Sequence, residues 1–128
     1  SPSLNLAQAV QITAYEMHTA LLADTLTLAL EMLAYRVKKY IGSYMAVLGG
    51  ADAIVLTGGI GENAKLVRRL VLEGLEYSGA KLDENKNQAY CGGIGFINTD
   101  DSTVKIIVLP TNEELSIARE TKALTAKK

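Results

Sequence analysis

The chain has 128 residues, enough for one domain with a single core. A net charge of −1 leaves no basic surplus for nucleic acid, and the lone cysteine, Cys91, excludes an internal disulfide and fits a reducing, cytoplasmic compartment. The apolar stretch Thr19–Tyr35 is interrupted by Asp24 and Glu31 and follows no basic segment, which argues against a membrane span or a signal peptide.

Residues 4–48 contain no proline and one glycine, Gly42, and read as helix, either one or two. In the second part Leu33, Val37, Tyr40, Ile41, Tyr44 and Leu48 recur at helical spacing. Arg36, Lys38, Lys39 and Ser43 stand on other faces. Gly49-Gly50 ends the helix.

Ala53 to Leu56 then reads as a buried strand that empties into Thr57-Gly58-Gly59-Ile60-Gly61-Glu62, with a helix expected from about Asn63. A strand, a glycine turn and a helix N-terminus form a phosphate-holding device. Glycine lets the backbone approach an anion, and unpaired N–H groups of the first helical turn point at it. The alternative is a turn that only reverses a strand into a helix. A dinucleotide fingerprint fails, because Ala64 stands in place of the third glycine and the acidic residues about 20 positions on, Asp83 and Glu84, follow no second strand. No Gly-Lys-Ser/Thr follows either, so the turn is not a P-loop.

The next helix carries the stripe Leu66, Val67, Leu70, Val71 and Leu75. Lys65, Arg68, Arg69, Glu73 and Glu76 face elsewhere, and Ser78-Gly79 closes it. Residues 81–93 are polar and read as a loop. Strands are expected at Ile94–Asn98 and Val104–Leu109. After Pro110, Thr111 opens a last helix to about Leu124, and Thr111 with Glu114 fits a capping box. Glu113 has no capping duty. A carboxylate there suits Mg²⁺ held through water, or is a surface residue favoured by the helix dipole. His18, the only histidine, reads as a helix residue without catalytic assignment.

Taken together, Asp52–Asn63 with Leu66-Val67-Arg68, Val108–Leu115 with Ile117-Ala118-Arg119, and Ala34–Gly42 resemble the C-terminal part of acetate kinase, a likeness running from about Leu28 to Thr125. The resemblance implies an α/β fold: a partial ribonuclease-H-like domain of the acetate and sugar kinase, Hsp70 and actin superfamily, with a short sheet packed by helices. It implies the reaction ATP + acetate ⇌ ADP + acetyl phosphate with Mg²⁺, with propionate as the alternative acyl acceptor. It assigns ATP contacts to Gly59, Ile60, Gly61, Glu62 and Asn63 and the magnesium site to Glu113. It further implies a homodimer, to whose surface Tyr35, Tyr40 and Tyr44 could contribute as readily as to a core.

The expected organisation is a segment 1–27 without family match and a nucleotide-binding portion, 28–128. The family's Ser-Ser-Asp-x-Arg segment is lacking, since Gln8–Tyr15 offer neither Asp nor Arg. Arg36, Arg68, Arg69 and Arg119 read as solvated helix faces rather than as a clamp on a transferring phosphoryl group. The expectation is therefore a fragment with ATP and magnesium contacts, inactive alone, or an association module derived from it. Glu62 should turn away from the phosphates, since like charges repel, and Asn63 should make the more direct polar contact.

Overall fold

The computed structural model describes residues 20–126. The expectations for residues 1–19, including the first part of the helical segment and His18, lie outside the described residues. The elements are α1 (Ala20–Leu48), β1 (Ala53–Leu56), α2 (Gly58–Asn63), α3 (Lys65–Leu72), a 3₁₀ turn (Glu76–Ser78), α4 (Glu84–Ala89), β2 (Gly95–Phe96), β3 (Lys105–Val108) and α5 (Glu113–Thr125). Among the described residues no helix is long and apolar enough to cross a membrane.

The sheet has the order β1-β3-β2. β1 runs parallel to β3, pairing Ala53 with Lys105 and Leu56 with Val108, and β2 runs antiparallel to β3. This is the α/β architecture expected, with helices packed on a short mixed sheet. Period-2 alternation sends Ile54, Ile106 and Val108 into the core and leaves Val55 half exposed, so β1 is buried on one face, not two.

That core face meets α3 and, beyond it, α1. Val67, Val71, Leu72 and Leu75 are buried there together with Ala34 and Met45 of α1. Leu30, Leu33, Val37 and Ile41 pack beside them. The expected α1 stripe is thus half right. Tyr40, Tyr44 and Leu48 are exposed, the two rings stacking at 6.4 Å, while Ala34 and Met45 take the inner positions. The 3.6-residue repeat allows either face over a few turns, and a small Ala34 lets α3 come close. On α3 the same correction replaces Leu66, 42% exposed, by Leu72, fully buried.

Three more expectations change. The glycine turn is itself helical, and α2 occupies Gly58–Asn63 before a break at Ala64 separates it from α3. Residues 81–93 are not all loop. Asp83 Oδ1 accepts from the N–H groups of Asn85 and Lys86 at 3.0 and 3.1 Å and starts α4. The strand expected over Ile94–Asn98 shortens to Gly95–Phe96, because the side chain of Asn98 takes the N–H of Ile106 at 3.1 Å and the chain turns to bridge Leu82.

Candidate functional site

Parallel pairing of β1 and β3 brings both strand-to-helix corners to one edge of the sheet. The last rung is Leu109 N–H to Leu56 O at 2.9 Å, and Pro110 cannot continue the ladder. Beyond it the corners touch directly. The hydroxyls of Thr57 and Thr111 lie 2.7 Å apart, and Gly58 N–H donates to Thr111 Oγ1 at 3.1 Å. The structure therefore brings the glycine segment and the segment ending in Glu113 together.

Thr111 is thereby taken from the duty expected of it. The N-cap of α5 is Asn112, whose Oδ1 accepts from Leu115 N–H at 3.0 Å, and Glu113 is the first helical residue. The capping box of Thr111 with Glu114 is not formed. The competing partner is Gly58, an orphan donor at the start of α2 that the folded chain places within reach of the Thr111 hydroxyl.

In α2, Gly58 has φ +75°, a left-handed conformation that costs other residues about 1–2 kcal/mol. Gly61 answers a different demand. A β-carbon there would stand 3.0 Å from the carbonyl carbon of Leu56, so any other residue would press α2 a few tenths of an ångström away from the end of β1. With Gly58 N–H taken by Thr111, the N–H groups of Gly59 and Ile60 are the first-turn donors without an intrahelical acceptor. Gly59 and Ile60 are exposed. Glu62 directs Oε1 at the N–H of Thr111, 3.1 Å away, and Asn63 Nδ2 donates to Gly59 O at 3.0 Å.

One residue that holds this segment in place escapes the sequence reading. Arg68, expected on a solvated face, is 1% exposed. Its Nη1 donates to Gly61 O at 2.9 Å and Glu62 O at 2.8 Å. Its Nε donates to Asn87 Oδ1 at 2.7 Å and its Nη2 to Asn87 O at 3.2 Å. The guanidinium also lies 5.2 Å from the centre of the Tyr90 ring. Burial lowers its pKa below that of an ordinary guanidinium, an effect opposed first by Tyr90 and then by Glu84. Asn87, also fully buried, donates Nδ2 to Lys65 O at 3.1 Å and to Glu84 Oε2 at 3.2 Å. Lys65 Nζ meets Gln88 O beside them. Arg68 thus ties the end of α2 to α4. A signal was present: Arg68 stands four residues before Leu72 and seven before Leu75, on the buried side. Arg36, Arg69 and Arg119 are exposed, as expected.

No group of three or more His, Cys, Asp and Glu side chains suited to a metal occurs among the described residues. The donor set at this edge is the pair of exposed carboxylates that open α5, Glu113 and Glu114, beside a segment with free amides. That chemistry suits Mg²⁺, which keeps several waters and binds through one or two carboxylates plus substrate phosphates. It does not suit a dedicated protein cage for Ca²⁺ or Zn²⁺.

Comparison with known proteins identifies the family to which this fold belongs. The model of the acetokinase family matches residues 11–119. The chain is 57% identical over 97 residues to acetate kinase of Methanosarcina barkeri, covering 76% of this chain and 24% of that protein. Among solved structures, Porphyromonas gingivalis acetate kinase superposes with a TM-score of 0.75 at 35% identity, covering 94% of this chain and 29% of that one. A propionate kinase from Francisella tularensis gives 0.68 at 37% identity, covering 91% and 28%. The chain spans about a quarter of the length of the curated relatives it matches. A family match across most of its residues, on a fold that joins the two motif-bearing corners, makes this chain a member of the acetokinase family.

Proposed function

We propose that this chain is the C-terminal portion of an acetate kinase-like enzyme, supplying ATP and Mg²⁺ contacts for ATP + acetate ⇌ ADP + acetyl phosphate, with propionate as the alternative acceptor. Residues 28–128 form its nucleotide-binding part, and its compartment is cytoplasmic. The observation that carries this reading is the contact of the two corners through Thr57 and Thr111. It puts free backbone amides and a helix-start carboxylate on one edge, as a magnesium–triphosphate requires.

In this reading the N–H groups of Gly59 and Ile60 hold phosphate oxygens, and Gly61 keeps that segment against β1. Asn63 braces it through Gly59 O, with its amide carbonyl left to the nucleotide. Glu62 belongs to the ATP-contacting element through its backbone, while its carboxylate serves Thr111. Glu113 holds Mg²⁺ through water, and the ion supplies charge neutralisation on the phosphates.

Phosphoryl transfer depends on positioning and on positive charge around the transferring group. The one arginine beside the glycine segment, Arg68, is committed to carbonyl oxygens and does not reach out to a substrate. The chain alone should therefore bind Mg·ATP weakly and turn nothing over. Titration calorimetry should detect Mg·ATP binding that Asn63→Ala weakens and Glu113→Ala makes independent of magnesium. A chain that binds no Mg·ATP, or a coupled assay showing acetate-dependent ADP release from it, would contradict this reading.

A second reading, an association module such as half of a homodimer, draws on the exposed apolar residues. Ile117 is 64% and Leu124 71% exposed on α5, and Tyr40, Tyr44 and Leu48 stand out from α1. Sedimentation that shows a nucleotide-independent dimer supports it.

A further inference from the structure

Thr111 is bonded to both ends of α2. Its hydroxyl accepts from Gly58 N–H at 3.1 Å and shares a hydrogen with the Thr57 hydroxyl at 2.7 Å. Its own N–H donates to Glu62 Oε1 at 3.1 Å. These contacts span 49 to 54 residues of sequence, so they are a product of the fold, not of local chain geometry. Two residues later, Asn112 having capped the helix in between, stands Glu113.

α2 is six residues long and has no buried residue. Below it the grip is Arg68 on the carbonyls of Gly61 and Glu62. Beside it the grip is Thr111. The Arg68 contact fixes α2 to α3 and α4. Beyond the β1–β3 ladder, which ends at Leu56 and Leu109, the Thr111 contacts are, among the described residues, the hydrogen bonds that join α2 directly to the segment that carries Glu113. Among the described residues the contacts between elements do not include an extensive one between α2 and α5, and every residue of α5 is exposed, so helix packing does not do the same job.

We propose that Thr111 and Glu62 form a latch that sets the glycine segment and Glu113 at a fixed spacing, which makes both of them positioning residues for the magnesium complex of a nucleoside triphosphate. The proposal rests on the reading of the site given under Proposed function. It assigns the Glu62 carboxylate to the protein's own backbone and not to a ligand. An amide oxygen in its place should serve as well, because the donor is a neutral N–H. The hydroxyl of Thr111 must both accept and share a hydrogen. Serine should therefore replace it, and isosteric valine should not.

The test uses the full 128-residue chain and four variants: E62A, E62Q, T111V and T111S. Amide hydrogen exchange is followed at Gly58 and Thr111, and ATP affinity is measured with Mg²⁺ and again with a chelator. Loss of one hydrogen bond corresponds to roughly a fivefold change. E62A should speed exchange at Thr111 and T111V at Gly58 by about that factor or more. Both should weaken Mg·ATP several-fold while leaving metal-free ATP unchanged. E62Q and T111S should behave as the unaltered chain. A general loosening of the fold would weaken both forms of ATP alike, so the magnesium dependence separates positioning from simple stability.

Unchanged exchange in both E62A and T111V overturns the latch. Faster exchange with equal losses for ATP and Mg·ATP, or a failure of E62Q to restore the Mg·ATP affinity, overturns the positioning role. If the unaltered chain binds no nucleotide, the reading under Proposed function fails, and the exchange rates then decide the latch by themselves.

Discussion

Replacement of Arg68 by methionine isolates the contribution of the one buried cation among the described residues. Methionine fills much of the aliphatic volume but carries no donor. The change strands four acceptor interactions: Gly61 O, Glu62 O, Asn87 Oδ1 and Asn87 O. A buried acceptor left unpaired costs about 1–3 kcal/mol. Asn87 is fully buried, so its two acceptors bear that cost in full. The carbonyls of Gly61 and Glu62 lie where residues are only half-buried and can turn partly to water. Relief of the desolvation that lowers the arginine pKa returns part of the loss. The net expectation is about 3–5 kcal/mol, a large share of the roughly 5–15 kcal/mol typical of a domain. Lysine should recover only part of it. Its point charge cannot span Asn87 on one side and two carbonyls of α2 on the other, as the planar fork does. Urea unfolding followed by circular dichroism measures this directly, with the slope checked so that a change in the unfolded chain is not mistaken for lost stability. An Arg68→Met variant within about 1 kcal/mol of the parent, at unchanged slope, would refute the clamp as an energetic element.

Gly61→Ala adds a methyl 3.0 Å from the backbone carbon of Leu56, and backbone cannot swing aside as a side-chain tip can. It should destabilise by about 1–3 kcal/mol and displace the first-turn amides, which ATP titration and thermal melting would register together. The Asp101 carboxyl lies below its ordinary 3.8 chiefly through its hydrogen bond to Lys81, 2.6 Å away, with Thr99 second. A depressed carboxyl stabilises above its unfolded pKa and loses that contribution as pH falls through the lower folded value. The loss should thus begin only below about pH 4. Because Asp101 is exposed, Asp101→Asn should leave melting at neutral pH nearly unchanged, and a large shift there would show a stronger pair than an exposed one should be.

The parts of the molecule legible in the sequence are those governed by local pattern. The glycine pair closing α1 is one: Gly49 and Gly50 both have positive φ, and Gly50 N–H reaches back to Met45 O at 2.8 Å. The strand before Gly58 and the strand before Pro110 are others, because β-branched runs ending in turn residues announce themselves. Helix α4 is not legible in this way, although Asp83 is a proper cap. Its sequence, Glu-Asn-Lys-Asn-Gln-Ala, has no apolar face, and what holds it is the pairing of buried Asn87 with Arg68. Thr111 misleads for a related reason. A threonine three residues before a glutamate is a local cap signal, and a distant Gly58 N–H outcompetes it only after the strands have paired.

The alternation of helix and strand, the glycines at the corner and the carboxylate opening α5 can be read from the chain alone, since each is a matter of residues within a few positions of one another. Folding alone makes the two corners neighbours, turns Arg68 inward and gives Glu62 to Thr111. Those outcomes depend on parallel pairing of strands some fifty residues apart, and a polar side chain chooses between solvent and a distant carbonyl only when the fold has brought that carbonyl within hydrogen-bonding range.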